Sequence, residues 1–294
     1  MRRIRILAAL ALLCVPSLAS ANGPFSQIIV FGGPLEDMGN FTSVNGDFPP
    51  PFFGNRFSDG PLAIEILAEQ LGLPLKPSLH LVGPVQGNNF AAVDGLASGT
   101  RPQDLNGQID AYLDSVDGQA DPKALYYQII GGNEVIAATF EPDDAKAREL
   151  IREAIDAKEQ ALYRLAAAGA RTFLVSNFID VGITPQVRAA GLAERGSEMS
   201  GYHNRLMDRA LDRVDHKLRV KLIRHDWASF VNNFVASAKR FGFTNRTESC
   251  LAVLAEGRCD FQKFLFFNEL FPTSHVHEVW GWALVIEVMK AAGR

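Results

Sequence analysis

The sequence predicts an α/β protein, a three-layer α/β/α sandwich built on a mainly parallel sheet. Three observations carry this. Five short runs rich in β-branched and apolar residues stand at 28–31, 79–82, 125–130, 172–176 and 220–223. Helical patterns lie between them, at 62–71, at 150–165 and from about 198 to 218. Behind a leader, about 270 residues remain, which fits one large domain at 22–294. Strand–helix alternation of this kind gives a sheet covered on both sides, with right-handed crossovers.

Each element has a local reason. Ile28, Ile29 and Val30 form a short buried strand, and it empties into a Gly-rich loop, Gly32-Gly33-Pro34-Leu35-Glu36-Asp37-Met38-Gly39-Asn40. Residues 62–71 carry apolar side chains at helical spacing. In the next helix Leu150, Ile151, Ile155, Leu162 and Leu165 share one face. In open sheets of this class ligands sit at the carboxyl ends of the strands, and the 32–40 loop leaves the first strand at that edge. Two segments resist regular assignment. Residues 47–55 contain Pro49, Pro50 and Pro51, which favour an extended rim loop that presents Phe52 and Phe53 rigidly. Residues 243–268 hold the last two cysteines. Each segment reads either as a wall or lid over a pocket or as surface packing.

Composition narrows the function. The first 21 residues carry the pattern of a secretory signal: Arg2, Arg3 and Arg5, an apolar core from Ile6 to Val15, and Ala19-Ser20-Ala21 at the cleavage site. That predicts export to the periplasm or the medium after cleavage near Ala21. Loss of the three arginines takes the net charge from −4 to −7. An acidic chain without a Lys/Arg cluster argues against nucleic-acid binding. No later apolar stretch reaches membrane-spanning length, so no transmembrane anchor is expected. Cys250 and Cys259 are close in sequence, and in an oxidising compartment they are expected to pair. Their spacing is not that of a zinc site. His275, His277 and Glu278 are too crowded to match the i, i+4 histidine pair that puts two ligands on one helix face. No metal or other cofactor is expected.

The loop at 31–40 resembles the first block of the GDSL, or SGNH, ester hydrolases, which reads close to Phe-Gly-Asp-Ser-Leu-Ser-Asp-x-Gly-Asn. Further blocks follow in order. Asn55-Arg56-Phe57-Ser58-Asp59-Gly60 resembles the family's Gly-Arg-Phe-Ser-Asn-Gly. Asn89-Phe90-Ala91 with Gly95 resembles the second block, and Gly131-Gly132-Asn133-Glu134 resembles its Gly-x-Asn-Asp. Asn268-Glu269-Leu270-Phe271-Pro272-Thr273 aligns with Asp-x-x-His-Pro-Thr, its Pro-Thr pair fixing the register. The resemblance covers nearly the whole chain after the leader and implies an SGNH, flavodoxin-like arrangement of the sandwich.

It also implies where chemistry should sit. Acyl transfer by a serine needs a hydroxyl nucleophile, a histidine base and a carboxylate that orients the base. Those places hold Pro34, Phe271 and Asn268. Loss of the serine alone costs on the order of a millionfold in a comparable triad enzyme. Proline also lacks the backbone N–H that the family uses as one oxyanion-hole donor. The remaining donors implied are the Asn133 side chain and a glycine N–H. Counting without a gap from Asn89 puts Asp94 at that glycine; a slip of one residue selects Gly95. His275, a few positions after Phe271, is a further candidate for the pocket. Asp37 reads as a loop brace that accepts backbone N–H bonds.

Three functions are consistent with this pattern. The first is an exported pseudo-hydrolase that binds an acyl chain or an acetylated glycan without turnover. The second is an active carboxylic ester hydrolase working through a rearranged site. The third is a scaffold or assembly protein whose cleft is closed by Phe271. The sequence leaves the protein partner and the oligomeric state open.

Overall fold

Strand β1 (Ile28–Gly32) is buried along its whole length, as befits a central strand of a sheet covered on both faces. The structure, a computed structural model, describes residues 23–293; the leader at 1–21 lies outside the described residues. The elements that follow are α1 (Thr42–Asn45), α2 (Ala63–Gln70), α3 (Leu105–Ser115), β2 (Leu125–Ile129), α4 (Gly132–Phe140), α5 (Asp144–Ala168) and β3 (Thr172–Ser176). Then come α6 (Pro185–Ala189), α7 (Ala193–Lys217), β4 (Lys221–His225), α8 (Trp227–Ala236), β5 (Asn245–Ser249), β6 (Phe264–Phe266) and α9 (Ser274–Ala291).

The four strands β1 to β4 pair in sequence order, and every pair is parallel. Period-two alternation divides their side chains between two cores. Ile29, Phe31, Tyr126, Phe173 and Val175 pack on one face against α3, α4, α5 and α7. Ile28, Val30, Leu125, Tyr127, Ile129 and Leu174 pack on the other against α2, α8 and α9. This is the expected three-layer sandwich. The helix patterns read at 150–165 and 198–218 are the cores of α5 and α7. Asp143 starts α5 by accepting the backbone N–H groups of Ala145 and Lys146. Gly281 lets α9 lie close on α2, since a Cβ there would stand 2.7 Å from that of Ile66.

One strand expectation is corrected. Residues 79–82 form a turn, not a strand. Leu79 takes a left-handed φ of 54°, Val82 N–H bonds back to the Leu79 carbonyl, and Val82 is exposed. The edge beside β1 is taken instead by residues 88–92. Val30 N–H donates to Asn88 O (3.0 Å), Phe90 N–H to Val30 O (2.8 Å) and Ala92 N–H to Gly32 O (3.2 Å). The chain thus leaves β1 toward one edge and returns on the other side as β2. The loops at the carboxyl ends of β1 and β2 therefore diverge at a topological switch point, where such folds place ligands.

The segment after α8 forms a small parallel pair, β5 with β6, outside the main sheet. Cys250 and Cys259 are joined there by a disulfide, with Val253 and Phe264 packed around Cys250. Among the described residues no helix is long and apolar enough to cross a membrane.

Candidate active site

Pro34 occupies the second position of a tight turn. The Gly33 carbonyl accepts N–H bonds from Glu36 (3.3 Å) and Asp37 (3.2 Å). That position uses no N–H of its own and prefers the fixed φ of proline. The loop therefore holds this shape with neither a hydroxyl nor a backbone N–H at position 34. Asp37 holds it down: its carboxylate accepts the N–H groups of Gly39 (2.7 Å), Asn40 (2.7 Å), Phe41 (3.1 Å) and Val93 (2.9 Å). Burial pushes this carboxyl above its usual range, and the four bonds pull against that. Asn40 ties the same loop to the edge segment by donating to the carbonyls of Asn89 and Ala91, both at 2.8 Å.

Asn268 and Phe271 stand on the loop before α9. The Asn268 Oδ1 accepts the N–H groups of Leu270 (2.9 Å) and Phe271 (2.8 Å), so this side chain braces its own loop. The Phe271 ring packs on Phe57, with centroids 5.0 Å apart. Pro34, Phe271, Gly95 and Asn133 line one cavity of about 90 Å³. Its other walls are mainly apolar, including Ile129, Phe178, Trp227 and Val231. Asn268 does not line it. Such a volume is below the ~300–1,000 Å³ of sites that enclose drug-sized ligands, and suits a short acyl group.

The oxyanion-hole candidates are engaged with one another. The Asn133 side-chain amide donates to the Gly95 carbonyl (2.9 Å), and the Gly95 N–H donates to Ala92 O (3.2 Å). Gly95 is the residue at the cavity, and a Cβ there would stand 2.6 Å from the Gln103 carbonyl. Asp94 is exposed, with φ 62°, and its carbonyl accepts from Arg101 (2.6 Å).

Three further sequence candidates lie elsewhere. Phe52 joins an aromatic cluster with Phe48, Phe57 and Phe267 and does not line the cavity. Phe53 is 46 % exposed beneath the Arg56 guanidinium. The proline run sets backbone stiffness but not direction, and the loop folds back on itself. His275 stacks on Phe243 (4.4 Å), with Nδ1 3.0 Å from the Gln262 carbonyl, and faces a second groove between α2 and α9. His277 turns the other way: its Nδ1 accepts the Ala63 N–H at 3.2 Å.

Two features were not singled out in the sequence. Glu36 lines the cavity and is only 1 % exposed; burial holds its carboxyl well above the usual range. It stands where the family's loop has a second serine, and a charged residue between Leu35 and Asp37 was the available signal. Behind α4 lies a buried polar cluster. Glu134 Oε1 accepts the N–H groups of Ala97 (2.5 Å) and Ser98 (3.1 Å), positioning the loop after Gly95. Lys158, fully buried beside it, is pushed down to about 8 by burial, against the attraction of Glu134.

His203 and His277 are both buried and lowered to about 3, chiefly by burial. The unfolded chain binds their protons near pH 6.5, so stability falls as pH drops from 6.5 toward 3, by about 1.4 kcal/mol per pH unit for each ring. The buried carboxyls of Glu36, Asp37 and Glu134, all raised, act in the opposite sense. A difference measurement isolates one histidine. In urea melts at pH 7 and pH 5, the stability advantage of the parent over His277→Asn should narrow by about 2 kcal/mol at the lower pH. A constant gap contradicts a neutral His277.

The family model described as GDSL-like Lipase/Acylhydrolase matches residues 28–281. The chain is 26% identical over 239 residues to a phosphatidylcholine-sterol acyltransferase of Aeromonas hydrophila, covering 79% of this chain and 67% of that protein. It is 31% identical over 191 residues to Lipase 1 of Photorhabdus luminescens, covering 63% of this chain but 27% of that protein. An uncharacterized protein from the trpE-trpG intergenic region of Pseudomonas putida is 31% identical over 265 residues, covering 80% of this chain and 41% of that protein. Among solved structures, the chain is similar to LAE5, an alpha/beta hydrolase enzyme from the metagenome of Lake Arreo, Spain. The TM-score is 0.48 at 12% identity, over 93% of this chain and 97% of that one.

Proposed function

We propose that this chain, which belongs to the GDSL-like lipase/acylhydrolase family, is an exported acyl-binding protein that has kept the family's cleft and lost its ester-cleaving chemistry. The observation that carries this is the chemistry of one wall. Pro34 and Phe271 line the cavity where the resemblance puts a nucleophile and a base, and neither can attack a carbonyl or accept a proton. Asn268 spends its carbonyl oxygen on its own loop. The cavity remains, apolar and sized for a short acyl group, as an acyl chain or an acetylated glycan presents. The leader at 1–21 and the Cys250–Cys259 disulfide support export to an oxidising compartment.

Trp227 lines the cavity, so its fluorescence reports occupancy. Titration of the purified protein with p-nitrophenyl butyrate should give a saturable fluorescence change with nitrophenolate release no faster than in buffer. Release in proportion to protein, blocked by a serine-reactive phosphonate, supports instead an active hydrolase with a rearranged site. No saturation and no release leaves the scaffold reading.

A further inference from the structure

We propose that Glu36 is the ligand-orienting residue of this cavity, a neutral carboxylic acid whose O–H donates to the carbonyl oxygen of an uncharged acyl ligand. The inference rests on the acyl-binding reading above and adds a discrimination to it: esters and ketones are accepted, and the free carboxylate is refused.

The argument begins with what the cavity wall lacks. Glu36 is the one titratable side chain among its lining residues, and no Lys, Arg or His lines it. Two other polar side chains of the lining each donate a hydrogen bond to the fold. Thr184 Oγ1 donates to the Val181 carbonyl (2.7 Å), and the Asn133 amide donates to Gly95 O (2.9 Å). The Glu36 carboxyl has no side-chain hydrogen-bond partner among the described residues, and the Gly33 N–H is the group that opposes the effect of its burial. Its Oε2 is tucked against the end of β1, 3.0 Å from where a Cβ on Gly32 would stand. Tyr127, fully buried and close enough to feel the Glu36 carboxyl, brings no positive charge.

A carboxylate enclosed by apolar walls, with no cation to pair with, takes up a proton rather than pay for ionisation. The protonated acid has one O–H donor, and its residue stands in the wall of an apolar cavity. An ester or ketone carbonyl accepts that bond and brings no charge. A carboxylate of the same chain length brings an anion into a site with no counter-charge, which costs far more than the one bond returns.

The test uses a short aliphatic methyl ketone, which cannot be hydrolysed, beside the carboxylate of equal chain length, on the full mature chain at pH 7. The parent is expected to bind the ketone at least about tenfold tighter than the carboxylate. Glu36→Leu should weaken ketone binding by about fivefold to tenfold, the worth of one hydrogen bond. Glu36→Gln keeps size, neutrality and a donor. It should bind the ketone within about twofold of the parent and keep the preference over the carboxylate, since it too brings no positive charge. Thermal melts show whether each variant is folded, and the Gln variant keeps the question answerable if the Leu variant is not. Equal ketone affinity in parent and Glu36→Leu overturns the role of Glu36 and leaves acyl binding standing, as does a ketone bound about tenfold more tightly by Glu36→Gln, the mark of a parent carboxyl with no O–H to donate. Failure of the parent to bind the ketone overturns both.

Discussion

The triple variant Pro34→Ser, Asn268→Asp, Phe271→His should cleave p-nitrophenyl butyrate at least about a hundredfold faster than the parent. Serine at 34 supplies a hydroxyl and a backbone N–H in one step. A nucleophile of this type is worth on the order of a millionfold and one oxyanion donor about a hundredfold to a thousandfold. The turn accepts the change, because its hydrogen bonds run from Glu36 and Asp37 to the Gly33 carbonyl and do not involve residue 34. Phe271 lines the same cavity as Pro34, so an imidazole at 271 enters the space where a base is needed. An aspartate at 268 still accepts the N–H groups of Leu270 and Phe271 through one oxygen and has a second for the imidazole. Recovery stays partial for a visible reason: Gly95 N–H is bonded to Ala92 O and the Asn133 amide to Gly95 O. Pro34→Ser alone should give nothing measurable, since no base stands beside it. Stopped-time aryl release by the single and triple variants, against a buffer blank, checks both statements.

Asp37→Ala should lower stability by about 4 kcal/mol, and the melting midpoint by about 10 °C. Four backbone N–H groups, of Gly39, Asn40, Phe41 and Val93, end on this one carboxylate in a site only 1 % exposed. Each buried donor left without a partner costs about 1–3 kcal/mol, less where water enters the space vacated. The carboxylate's own account is close to balanced, since burial raises its pKa and the bonds oppose that rise. The loss therefore comes from the orphaned donors. Asp37→Asn keeps one carbonyl oxygen for Gly39 and Asn40 and should lose about half as much. Differential scanning calorimetry of the two variants orders them; a midpoint for Asp37→Ala within about 2 °C of the parent contradicts the assignment.

The central strands were legible because a strand buried on both faces reads as an apolar run, as at residues 28–31 and 173–175. The edge segment at 88–92 was not, since it is short and opens with Asn88 and Asn89, whose amides hold the carbonyls of Ile28, Pro74 and Glu36. Residues 79–82 mimicked a strand through composition alone; Leu79's left-handed backbone breaks it. At the site, block order put Pro34, Phe271 and Asn133 together, and the structure places them on one cavity. Aromatic direction was beyond reach. Nothing in Pro49-Pro50-Pro51 tells that Phe52 turns toward Phe267 and Phe53 toward Arg56. Glu36 and Lys158 are illegible in the sequence for a shared reason: a charged residue in a loop or on a charged helix reads as solvated, and only tertiary packing buries it.

Intact-mass spectrometry of the pure protein after reaction with excess p-nitrophenyl butyrate, and separately with an alkyl fluorophosphonate, tests the central claim most directly. A polypeptide without a nucleophile at the cavity keeps its unmodified mass in both. One acyl or phosphonyl group per chain, gained in seconds and mapped to a residue lining the cavity, contradicts it.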